Sequence, residues 1–170
     1  MNKDADMSFW NHLDEFRNRL IVVVVSIFLG ALIGYFYSEN IIQILVSPGK
    51  QQNISFQVIT VTSMFMIKLG VSFFTGIIIG FPILIYNLIQ FILPAFNSRL
   101  GKLILLAIFS SVFFCLGILF GYYIVVPFLL TFFTSVSFQT VDVKYNFTLG
   151  SYLSYTIWII FINGIIFQMP

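Results

Sequence analysis

The run His12-Leu13-Asp14-Glu15-Phe16-Arg17-Asn18-Arg19-Leu20 sets a cluster of charges directly against an apolar segment that continues to Tyr37. Phe9, Trp10, Leu13, Phe16 and Leu20 recur at spacings of three and four, which predicts a helix with apolar side chains on one face and charges on the other. Ser8 is the expected N-cap of that helix. Arg17 and Arg19 stand at the mouth of a segment that cannot take them in cheaply, so they hold the start of the chain at one membrane surface. The acids admit two readings. Glu15 and Arg19 are four apart and Asp14 and Arg17 three apart, the ordinary spacing of ion pairs on a helix surface. Glu15 also lies beside the bilayer boundary, where scarce water lets a carboxylate hold an incoming guanidinium firmly.

Composition decides the solvent. With 59% apolar and 8% charged residues the chain lacks the charge to cover a soluble surface, and a membrane protein is the class that fits. The first apolar run is of spanning length and shows no small-residue cleavage site, so it reads as an anchor rather than a signal peptide. The abundance of Phe, Ile, Tyr and Asn suits an AT-rich genome, such as that of an endosymbiont or an organelle. Cys115 is the single cysteine and lies in an apolar run, which excludes an intrachain disulfide and predicts a packing role. The single histidine, His12, has no set of co-ligands among the scattered acids, so no metal site and no cofactor is expected. An intramembrane enzyme would need a base in a span to activate Ser or Thr. A secondary transporter or channel would carry ionisable groups there, and only Lys68, at a span's edge, comes close.

The apolar runs predict an all-α polytopic bundle forming one membrane domain, with spans at about 20–37, 70–93, 103–126 and 151–170. Gly30 and Gly34 fall four apart on the first span, either a small-residue contact face or a coincidence in helices where Gly is common. Outside segments are expected at 38–69 and 127–150, the second with a helix continuing over 128–133. In the first of them a short helix over 41–46 is stopped by Pro48, and Phe56, Val58, Thr60 and Val61 have the composition of an extended piece. The sequons at Asn53 and Asn146 read either as glycosylation sites or as accidents of an Asn-rich composition. Pro82 should kink the second span, Pro94 should close it, and Pro127 should end the third. A short cytoplasmic loop at 94–102 makes the second and third helices antiparallel neighbours. The last run reaches Pro170 with no polar flank, as in a fragment cut within or at the end of a helix. Lys3, Arg17, Arg19, Arg99 and Lys102 fall on one side and Lys50, Lys68 and Lys144 on the other, which predicts a cytoplasmic N-terminus.

The opening words, His12-Leu13 and Glu15-Phe16-Arg17 followed by Arg19-Leu20 and a span, resemble the N-terminal signature of the TatC family, the multispanning core of the twin-arginine protein translocase. The likeness continues in order. Val46-Ser47-Pro48 is similar to the family's proline motif in the first outside loop, and Phe81-Pro82 with Tyr86-Asn87 to its second helix. Phe91-Ile92-Leu93-Pro94-Ala95-Phe96 is similar to the signature opening the first cytoplasmic loop. Gly117, Phe120, Tyr122 and Pro127 fit its third helix, and Ser151-Tyr152-Leu153 to Phe167-Gln168-Met169-Pro170 its fourth. The resemblance implies a six-helix receptor, of which four helices are present here. Such a receptor binds twin-arginine signals of folded precursor proteins and assembles in an oligomeric complex with single-span TatA- and TatB-like partners. It uses the proton motive force without ATP, has no nucleic-acid partner, and resides in a bacterial inner membrane or, alternatively, an organellar one. It also implies signal binding at Glu15, Arg17, Phe91 and Pro94, with Asp14 as a further acid. His12, Arg19, Pro48, Pro82, Tyr122, Pro127 and Gln168 are implied in structural or partner-facing positions.

Two departures from the family pattern stand out. Where a glutamate usually follows the Pro94 position and completes an acidic site, this chain has Leu100, with Arg99 beside it. Either Asp14 or another partner replaces that acid, or recognition is altered. Where the fourth helix usually carries a glutamate, this chain has Gln168, a neutral amide that can hydrogen-bond a neighbouring helix but cannot change charge. Packing and partner docking are both open for it.

Overall fold

The computed structural model describes residues 3–52, 54–92, 100–135 and 147–169. Helix α1 runs over Lys3–Phe36 and α2 over Ser38–Gln51, followed by a two-residue strand β1 at Phe56–Gln57 and helix α3 over Val61–Ile92. Helix α4 spans Leu100–Phe120, passes through a π turn at Gly121–Val125 and continues as α5 over Val126–Ser135; strand β2 at Phe147–Thr148 leads into α6 over Leu149–Ile166. Four of these helical stretches are long and apolar enough to cross a bilayer: His12–Phe36, Val61–Phe91, Leu103–Ser135 and Leu149–Ile166. In the most apolar stretch of each, only 11% to 33% of the residues are buried by protein, so most of their Leu, Ile, Val and Phe side chains face outward and require an apolar solvent.

Glycines bring the backbones close where the helices cross. The two halves of the α1–α3 crossing interlock at Gly30 and Gly76: a Cβ on Gly30 would lie 3.1 Å from the Gly76 Cα, and one on Gly76 would lie 2.7 Å from the Ala31 backbone nitrogen and collide with the Ile27 carbonyl. Without side chains in the seam, dispersion between the two backbones replaces the hydrophobic effect that lipid cannot supply. Helices α4 and α6 use the same device at Gly117 and Gly164, where a Cβ on Gly164 would press the Phe114 ring at 2.7 Å. Phe114 in turn stacks on Phe81 of α3 at 3.6 Å between centroids, joining three helices. The buried core, including Val71, Val126, Leu153 and Ile160, sits between α2, α3, α5 and α6.

Several elements depart from the sequence reading. Ser8 lies within α1, which begins at Lys3, and so is not its N-cap. Pro48 does not stop a helix over 41–46: α2 runs through it to Gln51, with Pro48 buried. Tertiary contact explains this. Proline at position 48 has no N–H for the Ile44 carbonyl, and the Tyr122 hydroxyl donates to that oxygen instead at 2.7 Å. One residue on, the Tyr152 hydroxyl donates to the Leu45 carbonyl at 3.0 Å. Pro127 does not end the third span either. It lies inside one continuous helical stretch, just after the wider π turn closed by Val126 N–H onto the Gly121 carbonyl, and the helix reaches Ser135.

Val61 is helical rather than extended, since α3 starts nine residues before the expected 70 and carries Lys68 two turns inside it, paired with Glu39 at 2.7 Å. Pro82 lies inside α3, which continues on both sides of it. Cys115 is exposed rather than packed. Strands β1 and β2 pair in parallel, Phe56 with Phe147 and Gln57 with Thr148. Each leads directly into a helix, so the pair pins the starts of α3 and α6 on the same side of the bundle. Pro94 and the stretches 93–99 and 136–146, with Arg99, Asp142, Lys144 and both expected loop interiors, lie outside the described residues, as does Asn53.

If the Tyr122 hydroxyl substitutes for the N–H that Pro48 lacks, Tyr122→Phe should cost about 0.5–1.5 kcal/mol, the net worth of one hydrogen bond. In a Pro48→Ala background, where a backbone N–H returns, the same change should cost markedly less. Thermal unfolding of the four variants in detergent measures both, and equal costs would show that the hydroxyl is not the compensating donor.

Candidate recognition site at the helix ends

The residues flagged from sequence separate into two clusters at opposite ends of α1. From Glu15 to Phe36 the helix rises about 30 Å. At the far end Pro48 is tied to Tyr122 as described, and Gln52 donates its amide to the Pro127 carbonyl at 3.1 Å and to the Thr131 hydroxyl at 3.0 Å. Pro48, Tyr122 and Pro127 thus form one structural joint between α2 and the π turn. Gln52, its fourth member, carries no signal in sequence beyond being a polar residue near a proline.

At the near end, α1 and α3 run side by side, and their spacing places His12, Glu15, Phe16 and Arg19 against the last turn of α3. Arg19 donates to Glu15 Oε1 twice, from Nε at 3.0 Å and Nη2 at 2.5 Å, which is the helix-surface pairing its spacing predicts. The same guanidinium reaches across to α3, where Nη1 donates to Gln90 Oε1 at 2.7 Å. Arg19 is 18% exposed and Glu15 40%. Among the described residues, the His12 imidazole is the charged or titratable group nearest Glu15 Oε2, at 3.9 Å. His12 stacks on Phe91 with ring centroids 4.3 Å apart and planes 12° from parallel, while Phe16 meets Phe91 at 5.1 Å with the planes tilted by 52°. A cleft of about 150 Å³ opens beside them, lined by Phe16, Arg19, Leu20, Asn87, Leu88 and Phe91. The result is a carboxylate with one oxygen held and one open, on an aromatic floor at the end of a membrane helix. That suits a planar cation better than a neutral ligand.

Asp14 and Arg17 do not join this group. They pair with each other at 3.7 Å on the outer side of α1, both about two-thirds exposed. Gln90 is the member that sequence reasoning missed: nothing in a single polar residue near the end of an apolar run tells which helix it will touch. Gln168 stands apart from both clusters, where its Nε2 donates to the Ser110 carbonyl at 2.9 Å and its Oε1 accepts from the Ser110 hydroxyl. It therefore joins the end of α6 to the middle of α4.

These features define a polytopic all-α membrane protein with a polar, aromatic-floored site where two of its spans end together. The sequence model of the family described as Sec-independent protein translocase protein (TatC) matches residues 11–170, and the chain belongs to that family. A chloroplastic Sec-independent translocase protein TATC of Oryza sativa is 32% identical over 171 residues, covering 98% of this chain and 46% of the relative. The Listeria innocua protein TatC is 29% identical over 168 residues, covering 98% of this chain and 68% of the relative. A crystal structure of the twin arginine translocase receptor TatC superposes with a TM-score of 0.84 at 29% identity, over 94% of this chain and 71% of that one. The chain spans about half the length of the chloroplast relatives it matches.

With both polar groups of Gln168 engaged by Ser110, Gln168→Leu should lower the unfolding midpoint in detergent, by the equivalent of about 1 kcal/mol, and leave the Glu15 end unaltered. An unchanged midpoint would mean that the amide contributes nothing to the α4–α6 joint.

Proposed function

We propose that this chain is the signal-receiving part of a twin-arginine translocase, with the Glu15 end of the bundle turned to the compartment from which folded precursors come. Glu15 Oε2, which no hydrogen bond covers among the described residues, beside the His12–Phe91 stack, is the single observation that carries the reading. A guanidinium is always charged and offers a fork of N–H donors, so a fixed carboxylate separates it from a lysine ammonium by paired hydrogen bonds. Phe91, with His12 stacked on it, gives the cleft beside the carboxylate an apolar, aromatic wall. Arg17 and Asp14, exposed on the outer face, extend the charged rim over which a signal approaches, and Pro94 follows three residues after Phe91 in the sequence.

Binding rather than catalysis is the role of this region. Around it a complex with TatA- and TatB-like single-span proteins moves the precursor, driven by the proton motive force. The basic residues at the Glu15 end agree with a cytoplasmic N-terminus in a bacterial inner membrane, or a stromal one in a plastid. Since the family is a protein translocase, the solute-transporter alternative is set aside.

Glu15→Ala should abolish export of a twin-arginine precursor while the variant still inserts in the membrane at normal level. Losing a partner of a bound guanidinium costs about 2–5 kcal/mol, enough to remove detectable binding of a weak ligand. Export assayed by precursor processing decides it, and wild-type transport by this variant would remove Glu15 from the site.

A further inference from the structure

We propose that Gln90 is a positioning residue: by tethering Arg19 from α3, it keeps one oxygen of Glu15 open for a guest guanidinium. The inference rests on the reading of Glu15 as the acceptor of a twin-arginine signal. A guanidinium beside a carboxylate ordinarily grips it fork to fork, one N–H on each oxygen. Arg19 does not. Its Nε and Nη2 both bond the same oxygen, Oε1, and its remaining nitrogen, Nη1, is drawn to Gln90 Oε1 at 2.7 Å. Oε2 is left with the imidazole at 3.9 Å as its nearest charged or titratable neighbour among the described residues.

The arrangement orders the two guanidinium positions in depth. Arg19, at 18% exposure, lies behind the carboxylate, and Glu15, at 40%, lies in front of it, so a guest arginine meets Oε2 without displacing the resident one. Gln90 suits the tether because an amide oxygen accepts from Arg19 without bringing a second negative charge to compete for it. Asn87, a neighbouring amide that lines the cleft, is turned to its own helix and donates to the Ile83 carbonyl at 2.8 Å. Arg19 on its own would mask the acid; Arg19 held by Gln90 covers Oε1 alone.

The test uses the full chain in lipid nanodiscs and fluorescent peptides bearing an Arg-Arg leader or its Lys-Lys counterpart, with affinities from anisotropy. Gln90→Leu frees Arg19 to close over both oxygens, and the Arg-Arg peptide should bind about tenfold more weakly, the equivalent of one lost charged hydrogen bond. Gln90→Glu should pull Arg19 off Glu15 and strengthen binding about tenfold. A merely structural Gln90 would weaken binding in both variants, so changes of the same sign, or no change, overturn the inference while leaving the receptor reading intact. In an Arg19→Gln background both effects should shrink by about threefold or more. Effects that persist undiminished there overturn the claim that Gln90 acts through Arg19. If the unsubstituted chain binds the two peptides equally, the receptor reading itself falls and takes this inference with it.

Discussion

A backbone carbonyl inside hydrocarbon has no water to turn to, and this constraint shapes every irregular feature of the bundle. It makes the spans helical, and it also decides how prolines are used. Pro48 is buried within α2 because the Tyr122 hydroxyl takes over the carbonyl that it strands. Pro127 follows directly on a π turn, and the helix continues past it. The same need places the Tyr152 hydroxyl on Leu45 and the Gln52 amide on Pro127, so that the polar groups between α2 and the third and fourth spans knit the far end together. An apolar core alone would not hold α2, which does not itself cross the membrane, in one orientation.

Since lipid tails are as apolar as the side chains they surround, the spans are held by closeness of approach rather than by escape from water. Gly30 against Gly76 and Gly117 against Gly164 are the two seams where backbones nearly touch, and Phe114 links them by stacking on Phe81. The α1–α3 seam has a direct consequence for the recognition site. By fixing the two helices in register it sets Gln90 and Phe91 of α3 opposite Arg19, Phe16 and His12 of α1. The geometry around Glu15 is thus inherited from glycines many residues away.

The site combines an acid, a resident guanidinium and aromatic rings at the margin of the membrane. Here a charge–charge contact is stronger than in bulk water, yet the groups remain exposed enough to exchange partners. The pairing of Glu15 with Arg19 and the reception of a guest guanidinium, which read as competing explanations in the sequence, are compatible in the structure because the resident arginine occupies only one carboxylate oxygen. Leu100, where the family pattern has an acid, opens α4 and adds no charge to the site. Asp14 does not replace that acid within the cluster, being turned outward with Arg17.

The sequence by itself determined the solvent, the helical class, the approximate spans and the charged word at the start, because hydropathy and period are local properties that lipid enforces residue by residue. It also held the family likeness, carried by words such as Phe81-Pro82 and Phe91 to Pro94. It misplaced the effects of Pro48 and Pro127, since a proline breaks a helix only when nothing else satisfies the freed carbonyl, and the donor for Pro48 lies on another helix, far away in sequence. It was silent on Gln90, Gln52 and Ser110 for the same reason. Which polar side chain meets which is settled by the crossing of helices, and only the tertiary structure decides that.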